Sequence, residues 1–176
     1  MYDIIVVDPP WEMKKLERDC RPAQKGFDYA TLTVRQIARM KISSIAAENS
    51  SLFLWTTQKY LPIAFGIMAS WGFRYHLCLT WDKGNGMCMA GFHRRTEFVL
   101  FGYRGKLEMF PHRKAIPACF AAKSPYHSAK PDEFYELVAP MGEKRIDIFA
   151  RKERLGWDVW GNEVNGATHL DLLEEK

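Results

Sequence analysis

Asp8-Pro9-Pro10-Trp11 is the stretch of this sequence whose residue types are most suited to chemistry, and it directly follows the run Tyr2-Asp3-Ile4-Ile5-Val6-Val7. That β-branched run reads as a buried strand. Two successive prolines remove two amide donors and stiffen the chain, so their carbonyls are expected to point outward as acceptors. Asp8 adds a carboxylate acceptor beside them, and Trp11 a flat apolar face. An aromatic amine suits such a set: the acceptors take its two N–H groups while its ring stacks on the indole. The lone pair of that amine is delocalised into the ring and is a poor nucleophile. Gripping both hydrogens favours the pyramidal nitrogen that can attack a methyl group. Acceptors placed where positive charge develops stabilise the transition state, and Asp8 can take the released proton. The tetrapeptide is equally compatible with a rigid turn after a strand and a packing tryptophan, and the residues alone leave both readings open.

The elements that must position these groups alternate in type. Thr33 reads as the N-cap of a short helix with Val34, Ile37 and Met40 on one face. Leu52 to Trp55 is a second buried strand, and Pro62 opens a helix that Gly72 ends near Trp71. Phe73 to Trp81 and Glu97 to Phe101 read as strands joined by a glycine-rich loop holding Gly84, Gly86 and Gly91. Residues 104–126 read as irregular. A helix from Pro131 to Pro140, a strand Ile146-Asp147-Ile148-Phe149 and a last strand at Trp157 to Trp160 complete the pattern. Alternation of this kind predicts an α/β fold with a parallel sheet, whose ligands bind beyond the carboxyl ends of the strands. One domain over residues 1–165 is expected, with residues 166–176 as a flexible tail.

The chain has 176 residues, 47% of them apolar, enough for one core and not for two ordinary domains. No apolar run approaches a membrane span and no signal-peptide pattern precedes the first strand, so a cytoplasmic protein is expected. Cys20, Cys78, Cys88 and Cys119 lack metal-ligand or paired spacing, which predicts reduced thiols and no metal site. Net charge is only +4, but cations cluster: Lys14, Lys15, Arg18, Arg21 and Lys25 in one loop, Arg94 and Arg95 in another, and Arg104, Lys106, Arg113 and Lys114 in a third. Clustered loop cations can form a phosphate footprint.

The tetrapeptide and its companions resemble the DPPW-type N6-adenine methyltransferase family, which includes the catalytic subunit of the eukaryotic mRNA adenosine methyltransferase and small bacterial and phage members. Phe27-Asp28-Tyr29, Leu52 to Thr56, Trp81-Asp82-Lys83 and Glu97 carry the likeness after Asp8. Ser128 to Glu133, Arg145 to Arg151 and Gly156 to Asn162 then follow in the family's order. The resemblance implies a Rossmann-like, S-adenosylmethionine-dependent fold, permuted so that the catalytic strand comes before the cofactor strand. It implies that Asp8, Pro9, Pro10 and Trp11 are catalytic. Lys130 should lie near the cofactor's methionine carboxylate and Arg151 and Asn162 near its ribose, with Asp8 bordering the same pocket and His127 and Glu163 as further contributors. Tyr29 and Trp11 are expected to stack on or gate the target base, with Trp81, Lys83 and Glu97 near its pocket and Arg94 and Arg95 on phosphates. Trp55 and Trp71 are expected in the core. Two departures are visible: Phe149-Ala150-Arg151 replaces the frequent Phe-Gly pair, and the segment that contacts the cofactor adenine in longer relatives is expected to be missing upstream of Tyr2.

By analogy with the small bacterial members, DNA is the expected substrate, RNA the alternative, and a non-catalytic partner subunit the rival of a different class. Degenerate family members typically lose the acidic residue that Asp8 supplies. A homodimer stays open. An obligate heterodimer is not expected, because heterodimeric relatives use a longer loop in place of residues 84–91.

Overall fold

β1 (Tyr2–Val7) is the strand from which the fold is built outward. The computed structural model describes residues 1–12, 31–89, 91–107, 115–123, 129–162, 164 and 167–173. Ile4, Ile5, Val6 and Val7 are all fully buried, as a strand covered on both faces requires. β2 (Ala46–Thr56) pairs with β1 in parallel on one side, and β6 (Arg145–Ile148) does so on the other. With β3 (Arg74–Met89), β4 (Phe92–Arg104), β5 (Cys119–Ala121) and β7 (Asp158–Trp160), the seven-stranded sheet runs β5-β3-β4-β2-β1-β6-β7.

The sheet is mixed, where the sequence predicts a parallel one. β4 is antiparallel to both β2 and β3, while the other pairings are parallel. The cause is local. The glycine-rich stretch expected to be a loop extends both strands, and the chain reverses between Met89 and Phe92 through Gly91, whose φ of +80° suits a residue without a Cβ. Strands joined by so short a turn must run antiparallel.

Alternation along each strand sends side chains into two cores. Ile5, Val7, Leu52, Leu54 and Leu100 face α1 (Val34–Ala38), α2 (Ile42–Ile45) and α3 (Leu61–Ser70). Ile4, Val6, Phe53, Trp55, Val99 and Phe101 face α4 (Asp132–Val138) through Phe134, Tyr135 and Val138. The three-layer arrangement is a Rossmann-like α/β fold. Helix ends follow the sequence: Thr33 and Gln36 form a reciprocal capping box at α1, and Gly72, with φ +80°, follows the end of α3.

Residues 167–173 are docked where a flexible tail is expected. Leu172 is buried in the core and Leu170 packs against it. The Leu170 carbonyl accepts the Trp160 indole N–H at 3.1 Å, and the Thr168 amide donates to Val159 at 2.7 Å. Two leucines spaced i, i+2 supply the apolar contact that holds this extended segment. No helix among the described residues is long and apolar enough to cross a membrane.

Candidate active site

The carboxyl ends of β1, β2, β3 and β6 and the amino end of β4 open on one edge of the sheet. Chain order switches at β1, with β2 on one side and β6 on the other, and such a switch leaves a crevice for ligands. Asp8 stands at its mouth, directly past β1, its amide held by the Ile148 carbonyl of β6. Ala129, Lys130, Asp147, Phe149, Ala150 and Arg151 line the same crevice.

Asp8 ends a chain of four alternating charges. The Lys130 ammonium contacts Asp8 Oδ2 at 2.9 Å and Glu97 Oε2 at 3.3 Å, and Lys83 contacts Glu97 Oε1 at 3.0 Å. Separate parts of the fold supply them: Asp8 follows β1, β3 carries Lys83, β4 carries Glu97, and Lys130 precedes α4. Lys130 is 10% exposed and Asp8 17%, so the attraction is only weakly screened. Burial pushes the Asp8 carboxyl up from its usual range, with Lys130 opposing that rise. Burial also disfavours the Lys130 ammonium, yet Asp8 and Glu97 together outweigh it and raise its pKa. Glu97 is likewise desolvated, but the two lysines hold it below its ordinary value. The Lys130 ammonium also lies 5.2 Å from the centre of the Trp55 ring, a cation–π distance.

Several expected roles change on contact with the structure. Trp11 offers no open face: it is 6% exposed, stacks on Tyr60 with centroids 4.8 Å apart, and donates its indole N–H to the Trp55 carbonyl at 3.2 Å. The two prolyl carbonyls are not free acceptors either. Pro9 accepts the Trp11 amide at 2.8 Å and Pro10 the Leu32 amide at 2.9 Å, leaving each only a second lone pair. The Asp-Pro-Pro-Trp turn is therefore held rigid by its own backbone and by Tyr60. Trp81, 1% exposed, packs edge-on against Trp55 and donates to the Ala122 carbonyl at 2.9 Å. Its ring is thus enclosed behind Trp55 and presents no open face. Trp55 and Trp71 are core residues as expected.

Arg95 has the acidic partner that its sequence neighbourhood hides. Its guanidinium grips both oxygens of Asp82 across the hairpin, Nε to Oδ1 at 2.7 Å, and this pairing lowers the Asp82 pKa to about 2. Arg94 is exposed, with no ion-pair partner among the described residues. Tyr29, His127 and Glu163 lie outside the described residues, as do Lys14, Lys15, Arg18, Arg21, Lys25, Arg113 and Lys114. Asn162 is exposed and follows Gly161, at which a Cβ would come within 2.8 Å of the Ala150 carbonyl. The close approach brings the end of β7 against Ala150, next to Arg151. Phe149 turns there with φ +66°, a costly conformation for a phenylalanine, and its amide and that of Ala150 both reach the Trp160 carbonyl.

Asp147 is the site residue to which the sequence assigns no role. Its Oδ2 accepts from Arg154 at 2.9 Å, its Oδ1 is buried with no hydrogen-bond partner among the described residues, and burial raises its pKa to about 7 against the opposing Arg154 charge. An acid in the middle of an apolar strand is itself a signal, since such residues are rarely buried without a task or a partner. Because the folded pKa exceeds the unfolded one, the folded state binds the proton more tightly. Asp147 therefore adds stability below about pH 4 that is lost as pH rises toward 7. Thermal melts across that range should show Asp147→Asn losing less stability between pH 4 and 8 than the unsubstituted protein. Parallel curves would show that Asp147 titrates in its ordinary range.

Comparison with known proteins places the chain in a family. The MT-A70 family model matches residues 2–163. Type II methyltransferase M.MunI from Mycoplasma sp is 28% identical over 93% of this chain and 78% of its own length. Human N(6)-adenine-specific methyltransferase METTL4 is 26% identical over 98% of this chain but only 39% of itself. N6-methyladenosine RNA methyltransferase MTA1 of Pyricularia oryzae is 29% identical over 93% of this chain and 47% of itself. The chain belongs to the MT-A70 family, whose members are in general S-adenosylmethionine-dependent methyltransferases.

Proposed function

We propose that this methyltransferase acts on the N6 amine of adenine in DNA, with Asp8 as the group that receives the amine. The observation that carries the proposal is the placement of Asp8: a largely buried carboxylate at the switch-point crevice, tied through one oxygen to Lys130. Asp8 Oδ1 then accepts an amine N–H while Lys130 keeps the carboxylate oriented and charged. As the N6–methyl bond forms, positive charge grows on nitrogen, and Asp8 stabilises it and takes the proton that leaves. Trp11, Tyr60 and the bonded prolyl turn hold Asp8 in place. The base meets Glu97 and Lys83 on the other side of Lys130.

The residues lining the crevice fit S-adenosylmethionine. Lys130 and Arg151 line it with cationic donors, and Asp147 Oδ1 is an acceptor without a donor among the described residues. When bound, the cofactor supplies an electrophilic methyl group on a cationic sulfur. Lys130 has three N–H donors, two of them directed at Asp8 and Glu97, so a third can meet the methionine carboxylate. Arg151 and Asn162 are assigned to the ribose, with His127 and Glu163 toward the adenine. The protein is taken to be cytoplasmic and able to act as a monomer or homodimer.

DNA is preferred to RNA because the chain spans 78% of the Type II methyltransferase but only 47% and 52% of two MTA1 RNA methyltransferases. Parallel incubations with DNA and with RNA of matched sequence content, followed by nucleoside mass analysis, test the choice. N6-methyldeoxyadenosine should dominate, and N6-methyladenosine alone would transfer the assignment to RNA. Arg94 is the described cation best placed for phosphate contact, since Arg95 is committed to Asp82. Arg94→Ala should lower the slope of log affinity against log salt by up to about one unit, with cofactor affinity unchanged. An unaltered slope would return Arg94 to the solvated surface.

A further inference from the structure

β3 and β4 outrun the sheet that holds them. β2 pairs with β4 only as far as Phe98, and β5 pairs with β3 only from Thr80 to Asp82. Beyond that the two strands continue as a ribbon, with Met87, Cys88 and Met89 opposite Arg94, His93 and Phe92. The ribbon leaves the sheet at the edge that carries Asp8.

Its base is braced where it leaves the sheet. The Arg95–Asp82 pair crosses it, the Gly84 amide donates to the same Asp82 oxygen at 2.8 Å, and a Cβ at Gly86 would lie 2.3 Å from the Arg94 carbonyl. Depression of the Asp82 pKa keeps that pair charged at any ordinary pH. Phe92 sits at the tip, 79% exposed. Strand alternation puts Phe92, Arg94 and Thr96 on one face, and sends Glu97 to the opposite face, into the charge chain with Lys130. Phe92 lies five residues from Glu97, about 17 Å along the strand.

Chemistry on an adenine amine inside a duplex requires that the base leave the stack, and its neighbours lose stacking when it does. A two-stranded ribbon is narrow enough to enter the major groove. Apolar side chains inserted between base steps are a known means of holding a duplex open, and aromatic stacking on bases tolerates any sequence. We infer that Phe92 is a wedge that fills the gap in duplex DNA left by the everted adenine, with Arg94 on the same ribbon face against the phosphate backbone. The inference rests on the DNA-methylation reading above. Charge favours this occupant over a second copy of the chain, because the ribbon offers Arg94 beside its exposed ring, and the acid opposite Thr96 on that face, Asp82, is already neutralised by Arg95.

The test compares native with heat-denatured genomic DNA from a host that lacks adenine methylation, using the full chain and isotopically labelled S-adenosylmethionine. Single strands need no eversion against a pairing partner. Phe92→Ala should lower the ratio of native to denatured turnover at least tenfold, and Phe92→Trp should restore it. An unchanged ratio in Phe92→Ala overturns the wedge. So does an equal loss on both DNA forms accompanied by a shift from dimer to monomer in sedimentation, which would make the tip a contact between copies. Inactivity of the unsubstituted protein on both DNA forms is a different result: it removes the DNA reading itself, and the wedge with it.

Discussion

Asp8→Asn is expected to lower methyl transfer by about three orders of magnitude, the scale on which loss of one preorganised charge-stabilising group acts. Asparagine keeps the shape of the side chain and one carbonyl oxygen but can neither balance charge on the amine nor accept its proton. Cofactor affinity should change little, since Arg151 and Asn162, the residues proposed to hold its ribose, are untouched. Thermal stability should fall modestly, because Lys130 loses one of two carboxylate partners and retains Glu97 at 3.3 Å. The separation between a large kinetic loss and a small stability loss is the diagnostic feature. Turnover within tenfold of the unsubstituted protein would assign Asp8 to folding and leave the chemistry without its acceptor.

Lys130→Met should have the largest effect on stability. Removing the shared cation leaves Asp8 and Glu97 facing one another in a desolvated site, and breaking a buried pair in this way costs about 3–5 kcal/mol. The deficit depends on pH with a definite sign. Without Lys130 both folded-state carboxyl pKa values rise above their unfolded values, so protonation favours the folded form. The variant should approach the unsubstituted protein near pH 4 and fall furthest behind it above pH 7. Cofactor affinity, measured by calorimetry at the lower pH where the variant is folded, should weaken by about 1.5–3 kcal/mol, the scale of a hydrogen bond to a charged group. A stability deficit independent of pH would show that Lys130 contributes packing alone. Unchanged cofactor affinity would leave it as the orienter of Asp8 only.

Asp8 is legible in the sequence because a carboxylate directly after a buried β-branched run falls at a strand end, where α/β sheets bind ligands. The order of the elements is legible for the same reason, from Thr33 capping α1 to Gly72 ending α3. What faces an aromatic ring is not. Trp11 and Trp81 have the residue type of a base platform, yet Tyr60 and Trp55 cover them, and nothing in the local sequence of either names those neighbours. The same holds for charges paired across a fold. Asp82 meets Arg95 across a hairpin that the glycine-rich sequence predicts as a loop, and Lys130 finds Asp8 and Glu97 only because β1, β4 and α4 converge. Proline-rich backbone suggests open acceptors, but a stiff turn also satisfies itself, as the Pro9–Trp11 and Pro10–Leu32 bonds do.

Position of the transferred methyl group tests the central claim most directly. The protein is incubated with DNA and S-adenosylmethionine carrying a trideuterated methyl group, and the digested nucleosides are resolved by mass and chromatographic standard. Trideuteromethyl label should appear on N6 of deoxyadenosine and fall to background in Asp8→Asn. Label on the N4 amine of deoxycytidine, or N6 label undiminished in Asp8→Asn, would contradict the role of Asp8 and its lysine-bridged carboxylate as acceptor of the adenine amine.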